Sequence, residues 1–341
     1  MTQQTHSPAS PAGQPLAITA LVALCVSLVS IASAAIFIKF SEREISPYAT
    51  AFNRFWITSL VLAAWNGIRS FRKPAQPESP KPSPYSKAVI WELICAGLFL
   101  SADLMLWAYS LTQTTIANAT LFANLTPIFT CLGSWLVWRR RVDGRFLIGL
   151  AVAVVGIGVI GINDLQASTG RVEGDCIALL AAISFGVYLL FLERLQTHLD
   201  SGTIVLWSST IAAVLSFPIV LIGGGSLFPT TALGWLMAVA LALICQVMGQ
   251  GLLVHSMEQL SAEFVALFLL LEPVVAAVGA WAFFAEQLSW LSLIAFAIVL
   301  AGISLALNSP SAMKHDEVEP SELTEVLTVD GKILQPSDAA G

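Results

Sequence analysis

Arg54, Asp103 and Glu272 are ionisable residues set inside runs that are otherwise apolar. If those runs lie in lipid, each charge costs about 2.5–3.5 kcal/mol at mid-bilayer on insertion scales, and residues kept there mark binding or proton-relay sites. Arg54 suits anion binding or pairing with a carboxylate; the plainer reading is a side chain that snorkels to the interface. Asp103 is placed by depth to carry a proton or hold an amine, or else to pair with Arg54 structurally. Glu272 precedes Pro273 near the middle of its run, where proline removes a backbone donor and frees a carbonyl. Pro127 repeats that feature in an earlier run. Paired breaks in matching helices point toward a substrate site; the alternative is a kink that serves packing alone.

Uncharged polar residues extend the set. Asn118 and Asn124 share one run, and Gln246 and Gln250, four apart, share one face of an α-helix. They either line a cavity or hydrogen-bond between helices. Trp107 and Tyr188 are placed to stack on a substrate, whereas Tyr109 and Trp207 fall near run ends, where interfacial aromatics are expected. Glu92, His255 and Glu263 also sit near run ends and read as interfacial. No nucleophile–His–acid set, phosphate loop or metal-ligand spacing occurs in the chain, so an enzyme is not expected and neither is a cofactor. The five cysteines are scattered singly and read as small buried hydrophobes.

These residues need elements to hold them. The chain has 341 residues, 56% hydrophobic and 11% charged, with a mean hydropathy of +0.79. A soluble protein carries about 25% charge, so lipid is the expected solvent. The net charge of -6 comes largely from the C-terminal tail, and there is no basic patch of the kind nucleic acid requires. Ten apolar stretches follow one another, at roughly 16–38, 47–66, 88–110, 115–138, 146–162, 174–192, 203–222, 231–254, 261–284 and 289–307. Most approach the ~20 residues that bridge a ~30 Å hydrocarbon core as a helix. Their continuity excludes the alternating strands of a barrel. Residues 1–15 and 308–341 read as disordered tails, the second with a short stretch, "EVLTVDGKIL", that suits a hairpin or a partner. The N-terminus lacks the basic region of a signal peptide.

The chain also repeats itself. The stretch from Ser110 aligns without a gap on the stretch from Ser256, 146 positions on: Gln113 meets Gln259, Pro127 meets Pro273, Gly133 meets Gly279, Trp135 meets Trp281 and Gly156 meets Gly302. Apolar composition alone would not align Gln, Pro, Gly and Trp at one shift, so the chain is read as an internal duplication. The repeats are helices 1–5 (16–162) and helices 6–10 (174–307). Five is odd, so the second copy enters the membrane from the opposite face, the inverted-repeat device of transporters. With the N-terminus inside, twelve Lys and Arg fall in inner segments and three (Lys39, Arg43, Arg171) in outer loops. That bias puts both termini in the cytoplasm. The expected fold is an all-α polytopic membrane protein of ten transmembrane helices in two inverted five-helix repeats.

Three stretches carry a family resemblance. "ISPYATAFNRFW" holds Pro47 and Arg54, "GDCIALLAAISFGVYLLFLERL" has the form of a repeat's opening helix, and "LLLEPVVAAVGAWAFFAEQLSWLSLIAFAIVLAGI" holds Glu272, Pro273, Glu286 and Gly302. Over about residues 16–307 the chain resembles the drug/metabolite transporter superfamily, in its ten-helix branch with two EamA domains. It departs from that pattern where helix 1 lacks a Trp-Gly pair and where Arg140 stands opposite Glu286; helix 1 also lacks the glutamate through which small four-helix relatives couple protons. The resemblance implies a secondary carrier for a small organic metabolite, an amino acid or related compound or a drug-like one. It implies a central cavity with helices 5 and 10 more peripheral. Alternating access with protons as one coupling option, a lipid bilayer (a bacterial cytoplasmic membrane) as surroundings, and a monomer or homodimer complete the expectation. The rivals are a nucleotide-sugar or sugar-phosphate antiporter of the same superfamily and a non-transporting membrane sensor or scaffold.

Overall fold

The computed structural model describes residues 13–72, 85–114, 116–165, 172–275, 278 and 290–314. Ten helical spans order these residues. They are α1 (Gly13–Ala32, continuing as Ala34–Ser41), α2 (Pro47–Arg72), α3 (Lys87–Gln113), α4 (Ile116–Ala123 with Thr126–Trp138) and α5 (Gly144–Leu165) in the first repeat. The second repeat holds α6 (Val172–Leu195), α7 (Ser201–Gly223), α8 (Ala232–Ser256), α9 (Ala262–Phe268, then a 3-10 turn at Leu269–Leu271) and α10 (Trp290–Leu307). Among the described residues six helices are long and apolar enough to cross a membrane, with shorter apolar stretches at Gly144–Val159 and Leu293–Leu307. The 26-residue α2 is not among the six, because Asn53, Arg54, Asn66, Arg69 and Arg72 lower its hydropathy.

Side-chain caps set several boundaries. Ser86 accepts from the Val89 amide, Asp200 from Thr203, Thr231 from Gly234 and Ser261 from Phe264, each satisfying an amide the helix leaves open. Arg139, with φ 54°, ends α4 in the left-handed region. Helices run past the expected ends in most cases, α2 furthest, because hydropathy marks the lipid-facing length and not the last hydrogen-bonded turn.

The pairing of α5 with α10 displays the duplication. A Cβ added to Gly302 would lie 2.6 Å from both the Ala153 nitrogen and the Gly149 oxygen; one added to Gly156 would lie 3.0 Å from the Val299 nitrogen and 3.1 Å from the Ala295 oxygen. At the shift of 146, Gly302 answers to Gly156, Ala153 to Val299 and Gly149 to Ala295. The contact is therefore its own image, and numbers rise along one helix as they fall along the other. Equivalent helices that pack antiparallel are related by a two-fold axis across their length, which in a bilayer lies in the membrane plane. Small residues allow the backbones this close.

Elsewhere α1 packs on α8, α2 on α7, α3 on α6 and α7, and α4 on α6 and α9. The α3–α6 pair is pinned at both ends, by Arg194 Nε to Glu92 Oε1 at 3.0 Å and by Thr114 Oγ1 to Asp175 Oδ1 at 2.6 Å, with Phe99 stacked on Phe191 between. Glu92 is thus a buried ion-pair partner.

The middle of α8, Leu241–Gln250, is π-helical, where an ordinary α-helix was expected. The wider turn frees carbonyls for other donors. Ser27 Oγ on α1 donates to the Gly249 oxygen at 2.7 Å, and Thr58 Oγ1 on α2 donates to the Ala242 oxygen at 3.4 Å. In α4 the break falls at Asn124–Leu125, so Pro127 opens the second segment at a position that needs no amide donor.

Candidate functional site

Where α1, α2, α3 and α8 meet, a small cleft, partly open to the exterior, has Arg54 in its lining. Glu42, Pro47, Thr50, Trp107 and Leu241 line it with Arg54. Arg54 is only 6% exposed. Its Nε donates to Gln246 Oε1 at 2.6 Å, and Gln246 Nε2 in turn donates to Ser209 Oγ at 3.4 Å. One edge of the guanidinium is therefore spent on a neutral partner. The charge itself is not neutralised in contact: among the described residues Arg54 has no carboxylate within 4 Å. The structural pairing with Asp103 is not made. Asp103 and Glu272, both half-buried, instead lie within Coulombic range of Arg54 and of each other.

The structure thus gathers Arg54, Asp103, Trp107, Gln246 and Glu272, drawn from four spans, around one centre. Tyr188 is fully buried near this group without lining the cleft, its hydroxyl beside Ser208 and lacking a hydrogen bond of normal geometry. Gln250 is buried one turn past Gln246, its Oε1 without a partner among the described residues. Asn124 marks the α4 break, Pro273 follows Glu272 in a short helical turn at 272–275, and neither borders the cleft. The Asn118 side chain and Glu286 lie outside the described residues. Tyr109 and Trp207 are exposed on the outer surface. Missed from the sequence were Thr50, whose buried Oγ1 has no partner among the described residues, and Ser209, which accepts from Gln246; small hydroxyls in apolar runs give no signal of which neighbour they face.

At the Glu44 end the two repeats are tethered. The Glu44 carboxylate accepts from the amides of Thr230 and Thr231 at 3.0 and 3.1 Å and from the Thr231 hydroxyl. That hydroxyl first, then the Thr231 amide, hold the Glu44 carboxyl below the usual carboxylate range. At the opposite end, Arg140 Nη1 meets Glu193 Oε1 at 2.8 Å, and Glu193 Oε2 accepts from the Ala262 amide at 3.1 Å. Glu263, expected at an interface, is buried beside this pair. His255 does lie at the surface, with Glu258 at 2.8 Å.

The model of a family described as "EamA-like transporter family" matches residues 18–162 and again 172–308. A protein of Archaeoglobus fulgidus named "Uncharacterized transporter" is 24% identical over 292 residues, 83% of this chain and 95% of its own length. A "Probable amino-acid metabolite efflux pump" of Escherichia coli (strain K12) is 24% identical over 194 residues, 54% of this chain and 65% of its own. A solved crystal structure superposes with a TM-score of 0.69 at 19% identity, covering 85% of this chain and 98% of that one.

Proposed function

The chain belongs to the EamA-like transporter family, and from that premise we propose that it carries a small organic metabolite, an amino acid or a close relative, by alternating access around the cleft that ends on Arg54. The observation that carries this reading is a deeply buried guanidinium, oriented through Nε by a neutral glutamine and facing a cleft. A buried cation keeps its pull on an anion when no carboxylate touches it. A carboxylate is the small anion a guanidinium holds best, by two parallel hydrogen bonds.

The surrounding charge supports a zwitterion. Asp103 and Glu272 both lie within Coulombic range of the one Arg54, which leaves the centre two positive charges short once a substrate carboxylate is added to the count of anions. An ammonium group brought by the substrate and one proton would together correct it. Trp107 supplies an apolar wall for the side chain. The name of the E. coli relative supports the same substrate class. A nucleotide-sugar or sugar-phosphate substrate fits less well, because its two or more negative charges call for several cations and Arg54 is the one that lines the cleft among the described residues. Antiparallel mates α5 and α10 support two exchangeable states, one open at each end.

The test is efflux of a defined amino-acid mixture from liposomes containing purified protein, read by mass spectrometry with and without an imposed pH gradient. Flux above that of protein-free liposomes, lost in Arg54→Ala, is the expected result. No flux for any amino acid would remove the substrate class, and flux indifferent to the gradient would remove proton coupling.

A further inference from the structure

The Arg140 end of the molecule is closed by the chain that follows the last span. Residues 309–314 do not leave the fold after α10, as the tail composition suggests; they turn back across that end. The Ser261 amide donates to the Ala312 oxygen at 3.0 Å and the Lys314 amide to the Gln259 oxygen at 2.8 Å, which makes Leu260 and Met313 an antiparallel bridge. Ser261 Oγ donates to the Ser311 oxygen at 2.7 Å, and the Asp143 amide donates to Ser311 Oγ at 3.0 Å. Ser309 Oγ donates to Asp143 Oδ2, and Lys314 Nζ donates to the Glu193 oxygen at 3.2 Å. Ser309, Ser311 and Ala312 are buried.

Asp143 belongs to the α4–α5 connection of the first repeat, and Gln259 and Ser261 to the α8–α9 connection of the second. Glu193 ends α6. One six-residue segment is thus bonded to two connections and one helix end, which must separate before this end can open. We propose that residues 309–314 are a lock on the Arg140 end, which peels away each time that end opens and re-forms each time it closes. The inference rests on the alternating-access reading.

The kind of bonding suits a lock. Each contact is a hydrogen bond of about 1 kcal/mol net, and the segment has few apolar anchors, so it can release stepwise. The span before it cannot follow, because α10 is interlocked with α5 at Gly149, Gly156 and Gly302. Asn308, exposed and bonded to the Ser304 oxygen at 2.7 Å, marks where peeling stops.

Cys131 reports on this end: it is buried on α4, within Coulombic range of Glu263 on α9. In a full-length variant whose other four cysteines are alanine, Leu260→Cys with Met313→Cys places two thiols at a non-hydrogen-bonded pair. Such a pair has Cα atoms about 4.5 Å apart, inside disulfide range. The readout is the rate at which a charged maleimide alkylates Cys131 in detergent, by peptide mass spectrometry, with the bridge oxidised and reduced. Oxidation should slow the labelling on the order of tenfold, reversibly. A chain stopped after Asn308 should label faster by a similar factor, and one stopped after Lys314 at the full-length rate. Equal labelling with the bridge intact, or after the Asn308 stop, overturns the lock. Cys131 unreactive in every variant overturns opening at this end, and with it the alternating-access reading.

Discussion

Arg54 on α2 and Gln246 on α8 are joined at 2.6 Å, 192 positions apart in the chain and across the boundary between the repeats. The bond takes the guanidinium's Nε and leaves its positive charge in place. Had Asp103 stood where Gln246 does, the same geometry would have produced a neutral pair with little reason to attract an anion.

Arg54→Lys keeps the charge and loses both the Nε donor and the planar fork. Hydrogen bonds to charged groups are worth about 1.5–3 kcal/mol, so affinity for a carboxylate substrate should fall roughly 10- to 100-fold. Competition binding to the purified protein measures it; unchanged affinity would remove Arg54 from the site.

Gln246 separates orientation from charge. Gln246→Leu leaves Nε without its acceptor in a buried place, at a cost of about 1–3 kcal/mol in stability, and lets the guanidinium turn. Gln246→Glu keeps the acceptor but adds a carboxylate against Arg54, so the fold should survive while anion binding is lost. A Gln246→Glu protein that binds as tightly as the original would contradict the charge argument.

The α5–α10 interlock predicts a pattern over three glycines. Gly302→Ala and Gly156→Ala each push a methyl into facing backbone and should cost about 1–3 kcal/mol as overpacking. Gly158→Ala, with nothing within 4 Å of its added Cβ, should be neutral or mildly stabilising. Thermal denaturation in detergent ranks the three, and a destabilised Gly158→Ala beside a tolerant Gly302→Ala would refute the antiparallel pairing.

Glu193 is 2% exposed and serves both Arg140 and the Ala262 amide. Glu193→Ala leaves a largely buried Arg140 without this partner, a change that in buried pairs costs about 3–5 kcal/mol. The loss should appear as a lower melting temperature and faster alkylation of Cys131, whereas Glu193→Gln, which can still accept from Ala262, should lose less.

The Glu44 tether should depend on pH in a stated direction. Its folded carboxyl titrates below the unfolded value because Thr231 and the adjoining amides bind the charged form. The tether is therefore fully present above the ordinary glutamate range and is lost as pH falls through the lowered folded value. Carbon-detected NMR of the Glu44 carboxyl should give a titration that moves up in Thr231→Ala; no movement would mean the hydroxyl does not act on it.

Two features of the site were hidden for identifiable reasons. Gln246 and Gln250 were legible as polar residues in an apolar run, but an α-helical spacing could not announce the π-helical turn, whose carbonyls accept from Ser27 and Thr58 on other spans. The segment at 309–314 was read with the polar tail because its bonds are made largely by main chain and serine hydroxyls, which carry no hydropathy.

The order and approximate extent of the spans, the duplication at a shift of 146 and the few ionisable residues at membrane depth were determined by the sequence alone. Each is a one-dimensional property, since transfer from water to lipid acts on a run of residues whatever it packs against. Which side chains meet was decided only in three dimensions. That Arg54 bonds Gln246 and not Asp103, that Glu92 and Glu263 turn inward and that residues 309–314 cross the Arg140 face all depend on how helices rotate and approach. Those rotations are set by close packing of facing surfaces, and such surfaces exist only once the chain has folded.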